Sequence, residues 1–390
     1  MEFKTLKLED IVKINKSSYK KEWNWNKAYY LDTGNLTKNT INDIVEFDLK
    51  VEKLPSRAKR ITQKNSILYS TVRPNQEHYG FIEDDFKNLL VSTGFAVIDT
   101  NSSKAVSKYI YYYLTQPNIT NYLQKIAEDS VSTYPAIKPS DLKELSIKLP
   151  RIEIQIIVSS ILSNLDKKIE INNKIIENLE AQAQAIFKSW FVDFEPFQDG
   201  NFVESELGLI PEGWIVKNIG DISKVKSGKR PNKKLDKGLF PIYGANGITG
   251  WTDEFLLNEP AIITGRVGTL GKLYRLNNEV WPSDNTLVFT SDDYELLYYN
   301  LRSIDYKSFN RGSTQPLISQ RDIKNVKIVY PNEQELKKFS NIVDDIFDYI
   351  NSIEKQNQTL AQTRDALLPK LMSGEIDVSN IKIDEDIDYD

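Results

Sequence analysis

RIEIQIIVSSILSNLDKKIEINNKIIENLEAQAQAIFKSWFVDFEP, residues 151–196, contains no glycine, and its only proline is its last residue. Ile157, Ile161, Leu162, Leu165, Ile169, Ile176, Leu179 and Ile186 recur at three- and four-residue spacing. That spacing predicts one apolar stripe along a long helix. Written as heptads, Leu162, Ile169, Ile176 and Ala183 take position a, and Leu165, Asn172, Leu179 and Ile186 take position d. A lone helix cannot hide such a stripe from water, so it needs a partner of similar length.

The partner lies in the same chain. Residues 333–371 repeat the pattern 181 positions later, with Val343, Ile350 and Asn357 at a, and Ile346, Ile353, Leu360 and Leu367 at d. Just upstream, STYPAIKPSDLKELSIKLP (132–150) aligns without a gap to STQPLISQRDIKNVKIVYP (313–331). Pro135/Pro316, Ile137/Ile318, Asp141/Asp322 and Pro150/Pro331 are among the matched positions. The chain therefore reads as a duplication of a globular unit followed by a long helix. One amphipathic helix alone would be read as packing on its own domain; two of equal length and register favour pairing with each other. An antiparallel pair would set the units at opposite ends of a rod, related by an approximate two-fold axis.

The boundaries follow: a first globular unit at 1–150, a helix at 151–196, a second unit at 197–331, a second helix at 332–376 and an acidic tail at 377–390. The expected class is α+β, with two similar domains separated by two long helices that form an antiparallel coiled coil. NSILYSTVRP (65–74) and LLVSTGFAVIDT (89–100) read as buried strands, and SKYIYYYLTQPNITNYLQKIAED (107–129) as helical with a break near Pro117. EVWPSDNTLVFT (279–290) and ELLYYNL (295–301) answer these in the second unit. The shift between copies is 211 at their starts and 181 at their ends, so about thirty residues of loop separate them. Variable loops on a shared plan are the expected carriers of differing specificity.

Across 390 residues the net charge is −5. The last sixteen residues, EIDVSNIKIDEDIDYD, hold seven acids and one lysine, so the remainder is about neutral with basic segments. One such segment is 57–64, with Arg57, Lys59, Arg60 and Lys64. Another is 221–237, with Lys224, Lys226, Lys229, Arg230, Lys233, Lys234 and Lys237. A single basic run is usually a solvated face. One in each half of a duplicated chain points to two phosphate-binding surfaces. There is no cysteine and only one histidine, His78, which argues against thiolate or histidine metal sites and Ser–His triads. SGKRP (227–231) lacks the spacing of a phosphate loop, and the glycines of 263–271 read as tight turns. No signal peptide or apolar run of membrane-spanning length is seen, so the expected location is the cytoplasm.

These residues carry a resemblance. GSTQPLI (312–318) with its copy STYPAI, the run 161–197, SELGLIPEGW (205–214) and LLPKLMSGEIDV (367–378) resemble the specificity subunits of type I DNA restriction–modification systems. The likeness covers essentially the whole chain and departs only at LPRIEIQ (149–155), where the family pattern has a second proline and a Glu-Gln pair. It implies two target recognition domains, each reading one half of a split double-stranded DNA site, with the coiled coil setting the spacing. It also implies two methyltransferase subunits and ATP-dependent restriction subunits as partners. This chain would then be non-catalytic and bind no cofactor, with S-adenosylmethionine, ATP and Mg held by the partner subunits. No membrane association is implied.

Major-groove readout uses Arg, Lys, Asn or Gln on loops and helix ends. The candidates for base reading are Arg57, Arg60, Arg73 and Gln76 in the first unit, and Lys229, Arg230, Asn246, Arg266 and Arg311 in the second. Lys59, Lys64, Lys233 and Lys234 are read as phosphate contacts. Arg266 and Arg311 are equally compatible with salt bridges inside their domain. Asn172 and Asn357 either pair across the coil or face solvent, and the second is preferred. The aromatic run Phe187, Trp190, Phe191, Phe194 and Phe197 is read mostly as core rather than as a docking face. Two other readings compete: a coiled-coil scaffold whose modules bind protein or other ligands, and half of a fused restriction enzyme, whose catalytic domain is missing.

Overall fold

Both copies of the repeat fold around the same four-stranded sheet. The computed structural model describes residues 2–130, 134–309 and 316–381. It comprises two compact units, Met1–Ile171 with Gln356–Asp390, and Asn172–Lys355. Each unit thus takes part of both long helices.

The first unit opens with β1 (Lys4–Lys7), β2 (Val12–Ile14) and β3 (Lys27–Leu31). A small hairpin of β4 (Leu36–Thr37) and β5 (Thr40–Ile41) precedes β6 (Val45–Asp48), β7 (Ala58–Ile61), β8 (Ile67–Ser70) and β9 (Tyr79–Phe81). β10 (Leu89–Ser92) and β11 (Phe95–Thr100) lead to α1 (Ser107–Leu114), α2 (Pro117–Ser130), α3 (Pro139–Lys143) and β12 (Ser146–Leu149). After the long α4 (Ile152–Phe191), the second unit begins with β13 (Phe202–Ser205), β14 (Gly208–Pro211), β15 (Ile215–Asn218), α5 (Ile219–Ile222) and β16 (Lys224–Ser227). β17 (Phe240–Gly244), β18 (Gly247–Thr252), β19 (Ala261–Gly265) and β20 (Leu273–Leu276) follow. β21 (Trp281–Pro282), β22 (Thr286–Thr290), α6 (Tyr294–Arg302), α7 (Gln320–Lys324) and β23 (Lys327–Tyr330) complete it before α8 (Glu333–Ser373).

The strand orders match. β2-β11-β8-β9 in the first unit answers β16-β22-β19-β20 in the second. A second sheet, β6-β3-β10-β7, answers β18-β17-β21, and each contains a parallel pair, β3 with β10 and β17 with β21. β1 with β12 answers β15 with β23, in registers Lys4↔Leu149 and Ile215↔Tyr330. LLVSTGFAVIDT, expected as one strand, is two, because the chain crosses from one sheet to the other at 93–94. Its counterpart crosses at 283–285.

The repeated residues have physical work to do. The Asp141 carboxylate accepts from the Lys138 amide at 2.7 Å and caps α3. Asp322 does the same for Ser319 at α7, accepting its hydroxyl at 2.7 Å. Asp10 and Asp221 likewise accept from the amides of Lys7 and Asn218, three residues upstream. Each carboxylate satisfies an amide that the helix leaves unpaired. The repeated Pro-x-Ile segment lies along the end of the central strand. Arg73 N donates to Pro135 O at 2.9 Å and Ile137 N to Thr71 O at 2.8 Å. Gly268 N donates to Pro316 O and Ile318 N to Arg266 O, both at 3.0 Å.

The long helices close each core. In the first unit Ile154, Ile157, Val158 and Leu162 of α4 share a cluster with Leu368, Leu371 and Met372 of α8. In the second unit Ala183, Phe187 and Phe191 of α4 share one with Leu336, Phe339, Val343, Phe347 and Ile350 of α8. The helices run antiparallel. Phe187 meets Phe339 with ring centroids 6.3 Å apart, while Glu180 lies near enough to Glu354 for its like charge to add to burial in raising the Glu354 carboxyl. Ile353 is buried as well; Leu165, Ile169, Ile176, Leu179, Ile346 and Leu360 are half-buried. Phe187 and Phe191 are core, and Trp190, Phe194 and Phe197 pack against it.

The structure corrects one expectation: Asn172, preferred as solvent-facing, is only 1% exposed, since its d place lies on the apolar stripe of the helix. Asn357 is half-buried.

A polar joint sits in the first unit. Tyr112 donates to Asp166 at 2.6 Å, and Arg364 of α8 donates to the other Asp166 oxygen at 2.7 Å. The second unit has instead Tyr299 stacked on Phe187 at 5.3 Å, with Phe339 and Phe347 around it. The Arg275 guanidinium lies 3.1 Å from the Phe347 ring centre and pairs through both terminal nitrogens with Glu295. Among the described residues, no helix is long and apolar enough to cross a membrane.

Candidate nucleic-acid interface

The strand registers decide which loops come together. In the second unit Ser227 pairs with Leu287, Gly265 with Thr286, Thr264 with Leu273, and Gly244 with Gly247. The ends of β16, β17 and β19 and the starts of β18, β20 and β22 therefore share one edge. The two sheets are stitched there by Ser283 N to Tyr243 O at 2.8 Å and Arg266 N to Asn285 O at 2.8 Å. Lys229, Arg230, Asn246 and Arg266 all emerge at this edge. Lys229 N donates to Pro282 O at 3.0 Å, which fixes the middle of the basic segment there.

Gly265 makes the crowding possible. A Cβ on it would lie 2.0 Å from the Thr269 carbonyl oxygen, so the loop returns across its backbone. The tight turns read from 263–271 are of this kind.

Lys229, Arg230 and Asn246 are exposed. Lys272, which sequence reasoning passed over, reaches the Asn246 side-chain oxygen at 3.3 Å. Its position directly after the glycine run was the available signal. Arg266 is half-buried and donates to Ser227 Oγ at 3.3 Å, with no carboxylate partner among the described residues. Lys233 and Lys234 are exposed but stand away from the edge, on a segment tied alongside β18 by Leu235 N to Trp251 O at 2.8 Å. Arg311 lies outside the described residues.

The first unit gathers the equivalent edge. Ser70 pairs with Phe95, Tyr69 with Tyr79, and Ser92 with Ala58. Arg57 is held there by Thr93 N donating to its carbonyl at 2.9 Å, and Arg73 and Gln76 follow the end of β8. All three side chains are exposed. Asn75, between them, was missed because one asparagine in a turn carries no distinctive signal.

Lys59 and Arg60 lie within β7, at the margin of the sheet, where Tyr19 N donates to the Lys59 carbonyl at 2.8 Å. Lys59 is exposed. Arg60 is half-buried with no partner for Nε among the described residues, and burial lowers its affinity for its proton. Tyr19, Trp23 and Trp25 cluster beside this strand with ring centroids 5.0–6.2 Å apart. Lys64 leads to the opposite edge, next to Asn65 N donating to Ile82 O.

His78 is committed to the Leu36 carbonyl and the Thr37 hydroxyl. Among the described residues, no group of three or more His, Cys, Asp or Glu is arranged to hold a metal ion. The chemistry on offer at each edge is hydrogen bonding and positive charge.

The chain matches the family model of the type I restriction modification DNA specificity domain over residues 1–181 and 211–362. It is 33% identical over 354 residues to the type I restriction enzyme MjaIX specificity subunit of Methanocaldococcus jannaschii, covering 83% of this chain and 80% of that one. It is 26% identical over 412 residues to the HindI specificity subunit of Haemophilus influenzae, covering 84% and 90%. The crystal structure of the type I restriction–modification S subunit from M. genitalium shares the fold, with a TM-score of 0.55 at 20% identity over 95% of this chain and 96% of that one.

Proposed function

The chain belongs to the type I restriction–modification DNA specificity family, and we propose that its two loop edges each read one half of a bipartite duplex target. It is the non-catalytic, sequence-recognising component of such a system. The observation that supports the split reading is the matched strand order of the two units. It delivers two separately encoded sets of Arg, Lys, Asn and Gln side chains to equivalent edges.

Base reading is assigned to Arg57, Arg60, Arg73, Gln76, Lys229, Arg230, Asn246 and Arg266, and phosphate contact to Lys59, Lys64, Lys233 and Lys234. The antiparallel helices set the number of unread bases between the half-sites. Two methyltransferase subunits dock on this chain, and restriction subunits join that complex in the cytoplasm. S-adenosylmethionine, ATP and Mg belong to those partners; this chain supplies orientation and sequence choice.

The test is to co-express the chain with a type I methyltransferase subunit from its own genome and map N6-methyladenine across the host DNA. A bipartite motif that depends on both chains is expected. A complex that forms but methylates no defined motif would reduce the chain to a scaffold. Lys233→Ala with Lys234→Ala should flatten the dependence of log affinity on log salt by about 2 for the assembled complex on its own duplex. An unchanged slope removes the 233–234 segment from the interface.

A further inference from the structure

We propose that the turn Arg73–Glu77 is a base-reading element of the first unit, with Arg73 reading a guanine and Asn75 or Gln76 an adenine of the same half-site. This rests on the half-site reading above.

Arg73 and Glu77 bracket a short Pro-Asn-Gln turn, and both have left-handed backbone, φ 48° and 55°. Side chains with a Cβ avoid this region, and residues held in it collect where a ligand is gripped. Here the conformation is held from several directions. Arg73 N donates to Pro135 O, and Glu77 N to Pro74 O at 3.0 Å. Asn75 N donates to the Gln124 side chain at 3.1 Å. The Glu77 carboxylate pairs with Lys38 at 2.7 Å, and Pro74 is buried. The Arg73 guanidinium rests 5.5 Å from the Tyr134 ring centre.

The side chains so presented are exposed. Among the described residues, those of Arg73, Asn75 and Gln76 make no hydrogen bond or ion pair. They are the types that match base edges bidentately in the major groove, Arg to guanine and Asn or Gln to adenine.

The second unit supplies the control. The same Pro-x-Ile pin puts Gly268 where Arg73 stands, because Gly268 N donates to Pro316 O. Gly268 has φ 82°, the ordinary solution for a left-handed position. Its turn continues Thr269-Leu270-Gly271 and holds no Arg, Asn or Gln. The scaffold accepts glycine at this place, so the first unit's arginine is there for its side chain. The second unit must read with neighbouring residues such as Asn246 and Lys272.

The test uses the assembled methyltransferase complex of the full chain with Arg73→Gly, which relieves the backbone instead of straining it. Motif mapping should show one G·C position of one half-site becoming degenerate, with discrimination there reduced about 10- to 100-fold and the other half-site unchanged. Asn75→Ala with Gln76→Ala should relax an A·T position in the same half-site. An unchanged motif with Arg73→Gly, or relaxation spread over both half-sites, overturns the proposal. A wild-type complex that yields no bipartite motif overturns the half-site reading first. Thermal melting of each variant identifies any loss of methylation that follows unfolding, and a folded Arg73→Gly complex with lost selectivity at that one position carries the proposal.

Discussion

The two joints between tyrosine helix and long helices solve one packing problem with opposite chemistry. The 181-residue shift carries Asp166 to Phe347, and Ala183 to Arg364. The first unit therefore closes with a Tyr112–Asp166–Arg364 network whose charged side chains are each 29% exposed. The second closes with Tyr299, Phe187, Phe339 and Phe347, and its cation, Arg275, lies on a ring face with Glu295 as a buried partner. A duplicated backbone fixes where a contact falls, not what it is made of. The wetter joint depends on geometry and screening, and the drier one on burial.

That contrast can be broken most sharply at Arg275. Arg275→Ala leaves Glu295, whose side chain is 7% exposed, without its partner, and should destabilise the second unit by about 3–5 kcal/mol. Peptide-resolved hydrogen exchange reads each unit separately, which suits a chain that need not unfold in one step. Arg364→Ala in the first unit should cost only about 1 kcal/mol, because solvent already screens Asp166. Equal losses at the two arginines would mean that the joints do not differ in the way their burial implies. Tyr112→Phe should cost about 1 kcal/mol, the worth of one hydrogen bond, whereas removing the Tyr299 hydroxyl, which has no partner among the described residues, should cost nothing or stabilise slightly.

The smallest expected effect is in pH. Burial raises Glu295, Asp344 and Glu354 in the second unit above their ordinary values of 4.5, 3.8 and 4.5. Their folded forms hold protons more tightly than the unfolded chain, so stability is gained as pH falls from neutral through the raised values and lost on the way back up. In the first unit, burial pushes Asp32 up, but hydrogen bonds from Tyr30, Thr33 and the Gly34 amide outweigh it and hold it below 3.8. Lys27 holds Glu46 below 4.5. Those two confer stability above the ordinary values that is lost as pH falls through the lowered ones. Exchange protection should therefore shift toward the second unit as the solution is acidified from neutral to about pH 4. A shift toward the first unit would contradict the signs.

The helices and the duplication were legible because apolar spacing survives any choice of partner. Val343, Ile350 and Ile353 are buried as their heptad places require. The capping aspartates were legible as repeats, though not as caps. The joints were not legible, since Asp166 and Arg364 read as surface charge until the fold sets them face to face. Asn172 misled for the same reason: a polar residue in a stripe reads as a break, yet the helix path keeps it inside. Among the candidate contacts, Arg57, Arg73, Gln76, Lys229, Arg230, Asn246 and Arg266 come to the loop edges, while Lys59 and Arg60 flank them and Lys64, Lys233 and Lys234 stand away. Sequence marks a basic run but not the strand register that decides which of its members share an edge.

Because the first unit is made of residues 1–171 and 356–390, its core is finished only by residues made after the whole of the second unit. Leu368, Leu371, Met372 and Val378 are fully part of that core. At about 5–20 residues per second, the intervening segment 172–355 takes roughly ten to forty seconds to emerge. During that time the amino-terminal domain stands with an apolar face uncovered. The molecule thus carries a check on its own synthesis: a chain cut short before α8 leaves the first unit open.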